Sequence, residues 1–511
     1  MIPIGETSDG RADMTNFEMD LFDTRMSHPM DKEESDECCK NSIIKPACLP
    51  ITILAFLLLM TFFIPLFNDD TSETTKKYER SGICTDTCML EIVESIPTGL
   101  SFPGYRNSTS TFDAWTELLK NAQKSVDLAV LYWNLRGLSD RTPGYPTAWQ
   151  GNETFNNLVN VGKRGVKIRI AQNSPDKFYS QLDSAYLQKH DLAEVRSLNF
   201  TALLGSGVLH TKMWIVDQMH VYLGSANMDW KSLTEVKEIG VLIRNCSCIA
   251  SDIGKIFSVY WRMGEEGAQI PSRWPVNLRT YFNAKHPLEI SYTLNNSTLA
   301  NTAENLGSTA INSRSFISSS PMQFNPKGRE HDLNAIVTLM ENAVKYVRVS
   351  VMDYLPTTIY QPPGKNMFWP ALDNAIRSAA YRGVQVDLLI SQWPHSNRAI
   401  VPYLKSLLEI NKALPKPGGK VNIKLFIVPA DEKQRKVPFT RVNHDKYMVT
   451  DNAAYIGTSN WIGDYFLQTA GIGLVFETID SPLIADKFNT IFTRDWNSGY
   501  AKTLQLNESY T

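Results

Sequence analysis

The sequence predicts an α/β fold in which two tandem α/β halves form a pseudo-dimer, preceded by a single transmembrane helix. Three observations carry this expectation. A run of 22 uncharged residues, 46–67, stands near the N-terminus. Downstream, strand-like and helix-like segments alternate, the pattern that lays helices over mixed or parallel sheets. The alternation also occurs twice, with the same polar signature in each copy. A chain of 511 residues with 43% hydrophobic content can bury a large core, which excludes a disordered tail or a mini-protein.

Residues 1–45 carry eleven acids and five bases, a net charge of -6, and are read as an acidic cytoplasmic tail. The 46–67 segment includes Ile51-Thr-Ile-Leu-Ala-Phe-Leu-Leu-Leu-Met60. At about 1.5 Å per residue it spans a hydrocarbon core of about 30 Å. The preceding stretch is long and mostly polar, which favours an uncleaved signal-anchor over a cleaved signal peptide. Lys32, Lys40 and Lys45 are balanced by Lys76, Lys77 and Arg80 across the segment, so flanking charge leaves the orientation open. N-glycosylation triplets begin at Asn107, Asn152, Asn199, Asn245, Asn295, Asn296 and Asn507, all C-terminal to the apolar run. Their one-sidedness supports a lumenal body, a type II topology, and a lumenal stalk over residues 68–90.

Cysteine placement points the same way. Cys38 and Cys39 flank the membrane segment and are palmitoylation candidates, and Cys48 lies within it. Cys84, Cys88, Cys246 and Cys248 form two close pairs, an even set suited to two disulfides in an oxidising lumen. A zinc site is the alternative, with poor spacing and no histidine nearby in sequence.

The body divides into a first half, 91–290, a linker, 291–325, rich in Asn, Ser and Thr, and a second half, 326–511. Leu118-Leu-Lys-Asn-Ala122 runs into the strand-like Ser125-Val-Asp-Leu-Ala-Val-Leu-Tyr-Trp133, as Leu339-Met-Glu-Asn-Ala343 runs into Tyr346-Val-Arg-Val-Ser-Val-Met-Asp-Tyr354. Arg164-Gly-Val-Lys-Ile-Arg-Ile170 and Arg382-Gly-Val-Gln-Val-Asp-Leu388 repeat a helix end, a glycine turn and a β-branched strand.

Each half then carries one polar signature. His210-Thr-Lys212 is followed by Asp217 and Gly224-Ser225-Ala-Asn227; His444-Asp-Lys446 is followed by Asp451 and Gly457-Thr458-Ser459-Asn460. Residues two apart on a strand share a face, so each histidine and its lysine point the same way. Imidazole, ammonium, hydroxyl and amide suit a phosphate. The lysines neutralise its charge, while Ser225, Asn227, Thr458, Ser459 and Asn460 are candidate ligands for its oxygens. Two histidines at one phosphorus divide nucleophilic attack from leaving-group protonation. This chemistry needs neither a metal nor another cofactor, and a lysine beside each histidine repels a cation.

The His-x-Lys, Asp, Gly-Ser-x-Asn pattern resembles the phospholipase D superfamily. The first copy fits throughout; in the second, five residues separate Asp451 from Gly457, and Thr458 replaces the usual serine. The stretches Leu223-Gly-Ser-Ala-Asn-Met-Asp-Trp230, Val442-Asn-His-Asp-Lys-Tyr-Met-Val-Thr450 and Tyr455-Ile-Gly-Thr-Ser-Asn-Trp461 are similar to the branch of animal members three and four. Those are type II membrane glycoproteins of the endosome and lysosome, acting as acid 5′-to-3′ exonucleases on single-stranded DNA and RNA. The resemblance implies two phospholipase D-like halves, His210 as the nucleophile forming a phosphohistidine, and His444 as the general acid for the departing 5′ oxygen. It also implies that Lys212, Lys446, Asn227 and Asn460 hold the phosphate, that Asp217 and Asp451 complete the motifs while bracing turns, and that Glu238 orients a histidine. Gly471 stands at the place corresponding to Glu238 in the second half. By the same resemblance, Cys84 pairs with Cys248 and Cys88 with Cys246. Relatives in that branch tend to carry Glu at the second acidic position and further late cysteines, where this chain has Asp451 and Gln392.

The implied partner is single-stranded nucleic acid, in the lumen of a compartment reached through the endoplasmic reticulum and Golgi. Two rivals use the same residues: a phospholipase or transphosphatidylase acting on lipid, and a non-catalytic phosphate-binding receptor. The presence of both histidines and both lysines weighs against the second. Internal duplication supplies both motifs, so a homodimer is not required. The net charge of -2 argues against a polyanion partner only as an average. The part beyond residue 45 carries +4 and seven of the eight histidines, which protonate in an acidic lumen.

Overall fold

The computed structural model describes residues 81–105, 108–139, 144–176, 181–294, 310–362 and 364–507. The acidic tail, the 46–67 segment, most of the stalk, Cys38, Cys39, Cys48, Asn107, Asn295, Asn296 and much of the linker lie outside these residues. Among the described residues no helix is long and apolar enough to cross a membrane.

The body has a mixed α/β fold. Its first half contains β1 (Cys88–Ser95), α1 (Thr111–Asn121), β2 (Ser125–Val130), α2 (Trp149–Lys163), β3 (Lys167–Asn173), α3 (Leu182–Lys189) and β4 (Glu194–Leu198). It continues through β5 (Lys212–Val216), β6 (His220–Gly224), β7 (Glu238–Arg244) and α4 (Ser247–Met263). Two long strands follow, β8 (Leu288–Leu294) and β9 (Ala310–Ser320). The second half contains α5 (Asp332–Asn342), β10 (Tyr346–Val351), α6 (Ala371–Tyr381), β11 (Gln385–Ser391), α7 (Ile400–Glu409) and β12 (Lys420–Phe426). It ends with β13 (Lys446–Thr450), β14 (Ala453–Gly457), β15 (Gly471–Thr478) and α8 (Leu483–Asn497).

Local chemistry explains the repeated helix–strand units. Ser110 caps α1 by accepting from the Asp113 amide at 3.0 Å. Arg164 donates from one guanidinium nitrogen to the Leu119 and Ala122 carbonyls at the end of α1, both at 2.9 Å. Arg382 does the same for the Met340 carbonyl of α5 at 2.7 Å. The Arg-Gly-Val repeat thus ties each helix end to the next crossover, and Gly165 and Gly383 take the positive φ that turns the chain into β3 and β11.

The sheets repeat the same topology. β2, β3 and β4 are parallel, β5 runs antiparallel to β2, and β6 and β7 follow as antiparallel neighbours. β10, β11 and β12 are likewise parallel, with β13, β14 and β15 antiparallel in turn. β1, β8 and β9 join β7 to β15, so one hydrogen-bonded sheet passes through both halves. Strands buried on both faces are apolar throughout, and alternate residues feed different cores. Val126, Leu128 and Val130 pack with α1 and α2, whereas Ala129 belongs to a shared core containing α4 and α8. Val347, Val349 and Val351 pack with α5, α6 and α7. Disulfides Cys84–Cys248 and Cys88–Cys246 fasten the start of the body to α4 and the turn before it, so these four sulfurs are not metal ligands.

Candidate active site

Register places both signatures at corresponding ends of the halves. Lys212 pairs with Val130 at the carboxyl end of β2, and Lys446 with Val351 at the carboxyl end of β10. The two ends are then stitched together reciprocally. His210 donates its amide to the Ala470 carbonyl at 2.9 Å, just before β15, and His444 donates to the Lys237 carbonyl at 2.8 Å, just before β7. Each histidine is therefore held by the backbone of the opposite half.

Ring contacts also cross between halves. His210 Nδ1 lies 2.9 Å from the Thr458 carbonyl, and Tyr465 packs its ring edge-on at 5.0 Å. His444 Nδ1 lies 2.8 Å from Glu238 Oε2, whose other oxygen accepts from Ser232 at 2.8 Å. A carbonyl acceptor holds the proton on His210 Nδ1 and leaves Nε2 with its lone pair. At His444 the partner is the Glu238 carboxyl, which favours a doubly protonated ring only when it is itself ionised. Gly471 occupies the place of Glu238 in the second half because a Cβ there would lie 2.2 Å from Ser459 Oγ and 2.9 Å from Ser320 Oγ.

The site is a buried concentration of positive charge. Lys212 and Lys446 donate to the carbonyls of their own histidines at 2.9 and 2.6 Å. Burial and the neighbouring ammonium of Lys446 pull Lys212 well below the usual lysine range. Burial likewise brings Lys446 down to about 8, against the pull of Glu238 and Asp353. Burial and both lysines lower His210 and His444. Burial raises Glu238 to about 7, with Lys446 opposing it. A phosphodiester anion supplies a countercharge that offsets the burial depressing all four groups, and the repulsion that adds to it at Lys212, His210 and His444.

Not every residue expected at the phosphate reaches it. Asp217 and Asp451 lie outside the site, at the far ends of β5 and β13, roughly 16 Å of strand away from the lysines. Asp217 accepts from the amides of Gln123, Lys124 and Ser125, and Asp451 from those of Val344, Lys345 and Tyr346, bracing the turns into β2 and β10. Ser225 and Thr458 are also not free for phosphate: each hydroxyl accepts from the amide of Ile239 or Ile472 at 3.0 Å, clamping β7 or β15. Ser459 turns toward Asp332 at 3.3 Å. Asn227 and Asn460 each keep a buried amide oxygen without a hydrogen-bond partner, but the Asn460 Nδ2 is committed to Asp353 and Tyr465. Of the glycosylation candidates, Asn199, Asn245 and Asn507 are exposed, whereas Asn152 is half-buried on α2 and its triplet's Thr154 is buried.

Two further residues act on the site. Asp353, immediately beyond β10, accepts from Asn460 Nδ2 at 3.3 Å, and burial raises its carboxyl to about 6 against the pull of Lys446. Its position at the carboxyl end of a parallel strand, aligned with Tyr132 in the repeat, is the signal that could have found it. Lys237 is fully buried between Asp445 and Asp495, 2.9 Å from the latter. It pins the start of β7, where Glu238 stands, to the segment before β13 that carries His444.

Comparison with known proteins identifies the family. Residues 105–431 match the family model described as PLD3/4, PLD-like domain. A Caenorhabditis elegans protein named probable phospholipase D F09G2.8 is 46% identical over 98% of this chain and 89% of its own. Xenopus tropicalis 5′-3′ exonuclease PLD3 is 42% identical over 90% of each chain, and the human protein of that name 43% identical over 83% of each. The chain belongs to the PLD3/4 family of phospholipase D-like proteins.

Proposed function

We propose that this protein is a 5′-to-3′ exonuclease on single-stranded DNA and RNA, hydrolysing phosphodiesters through a phosphohistidine and releasing nucleoside 3′-phosphates. The observation that carries the reading is the reciprocal pairing of His210 and His444 across two halves, as a pseudo-dimer, around one buried cationic site. The relatives named 5′-3′ exonucleases support the substrate and the polarity.

In the first step, His210 Nε2 attacks phosphorus while the bond to the 5′ oxygen of the next nucleotide breaks. His444 passes its proton to that oxygen, with Glu238 holding the ring through Nδ1. Lys212, Lys446 and the Asn227 amide N–H hold the non-bridging oxygens. In the second step, His444 takes a proton from water as the water oxygen bonds to phosphorus. The P–N bond breaks, His210 is restored and a nucleoside 3′-phosphate departs.

The 46–67 segment supports a single-pass anchor in this reading, and the two disulfides support an oxidising lumen on the path to the endosome and lysosome. A second copy of the chain is not needed to complete the site. The test is the purified full chain in detergent at about pH 5 with chelator, given a 5′-hydroxyl single-stranded oligonucleotide, a 5′-phosphorylated one and lysophosphatidylglycerol. Shortening of the 5′-hydroxyl strand, abolished in His210→Ala and His444→Ala, is expected. Turnover of the lipid alone, or strand degradation unaffected by either substitution, overturns the reading.

A further inference from the structure

Beside the segment 437–441 that leads to His444, the loops leaving the carboxyl ends of β11 and β12 enclose a cavity of about 1140 Å³ that the two-step chemistry does not use. Its position relative to the histidines is fixed by the backbone. Ser391 ends β11 and donates its hydroxyl to the Asn443 carbonyl, one residue before His444, and Gln392 and Trp393 follow directly into the cavity wall.

The lining is aromatic and cationic. Phe439 is 62% exposed, yet its backbone has φ 56°, a conformation rare for a bulky residue. It is supported two residues on by Arg441, whose guanidinium bonds the carbonyls of Pro429 and Thr98 and the carboxylate of Glu235. The Phe439 ring stacks on His395 at 4.8 Å and 26°, and Trp393 meets the same imidazole edge-on at 4.8 Å. Trp393 Nε1 is buried without an acceptor. Arg398 and Arg435, both exposed, also line the cavity, and neither has an ion pair among the described residues. An exposed ring held rigidly, an indole donor lacking a partner and two unpaired guanidinium groups match a nucleobase with its adjoining phosphate.

We propose that this cavity is a nucleotide subsite, taking the nucleotide that follows the scissile phosphate. Its base lies against the Phe439–His395 stack, and its 3′-phosphate lies at Arg398 and Arg435. The inference rests on the exonuclease reading and deepens it. His444 protonates the 5′ oxygen of this very nucleotide, and both loops belong to the half that supplies His444, so the departing strand leaves on this side.

The test compares kcat/KM of the full chain on a short oligothymidylate and on thymidine 3′-(4-nitrophenyl phosphate), which has no nucleotide beyond the phosphate. Phe439→Leu keeps apolar volume but removes the ring, and lowers the ratio of the two values by roughly tenfold through the oligonucleotide KM. Phe439→Trp restores it. Replacing Arg398→Gln and Arg435→Gln together flattens the dependence of log KM on log salt by about 0.7 for each phosphate no longer neutralised. An unchanged ratio in Phe439→Leu, while wild type shortens the strand, overturns the subsite alone. A wild-type chain that leaves the strand intact overturns the exonuclease reading and the subsite with it.

Discussion

Replacing Glu238 by glutamine probes the division of labour between the two histidines. The Glu238 carboxyl is fully buried, is raised to about 7 and meets His444 Nδ1 at 2.8 Å, so Glu238→Gln keeps shape while removing the group that shares a proton with His444. A hydrogen bond to a charged group contributes about 1.5–3 kcal/mol, which corresponds to roughly 10- to 150-fold in rate. That loss applies only where the leaving oxygen needs a proton. An alkoxide leaving from DNA needs one, whereas 4-nitrophenolate does not. The assay is therefore the single-turnover rate on an oligonucleotide against the burst of 4-nitrophenol from thymidine 3′-(4-nitrophenyl phosphate). Glu238→Gln should slow the first by at least tenfold and the burst far less. The alkaline limb of the oligonucleotide profile should also move to lower pH, because His444 loses the partner that becomes anionic above about 7, and burial with two lysines already lowers it. Equal losses on both substrates, with unfolding temperature unchanged, would refute the assignment of His444 as the acid.

Two further perturbations follow from the buried charges. Burial raises the Asp353 carboxyl to about 6, so it is neutral below that pH and becomes anionic beside the phosphate above it. KM should rise with pH through about 6, and Asp353→Asn should remove that rise, as initial rates across about pH 5 to 7 would show. Lys237→Met leaves Asp445 and Asp495 facing each other without their shared cation. Urea unfolding should report a loss of about 3–5 kcal/mol, typical of removing one partner from a buried ion pair; a change under about 1 kcal/mol would show that the network relaxes around the substitution.

The sequence reveals those parts of the site that are local. His-x-Lys occupies a strand end whose period fixes the shared face, and the Arg-Gly-Val turns recur because each arginine ties off a helix. Glu238 is reached by counting eleven residues from Asn227, but the histidine it meets is 206 residues away, and only the fold brings them together. The hydroxyls show the opposite limit. Ser225 and Thr458 have suitable chemistry for phosphate, yet their place opposite Ile239 and Ile472 commits them to backbone amides. Asp353 and Lys237 carry no motif. One matters because it sits where a parallel strand ends, the other because two acids from distant segments close around it.

The nitrogen that becomes bonded to phosphorus defines the mechanism. An oligonucleotide labelled at its first internucleotide phosphate, mixed with excess enzyme and quenched in alkaline denaturant, should leave label on the protein, since phosphohistidine survives alkali. Peptide mapping should place that label on His210, with His210→Asn abolishing it and His444→Asn accumulating it only from phosphorus-labelled thymidine 3′-(4-nitrophenyl phosphate), whose leaving group needs no proton. Label on His444, or full strand cleavage with no protein-bound phosphate at any time point, would contradict the account.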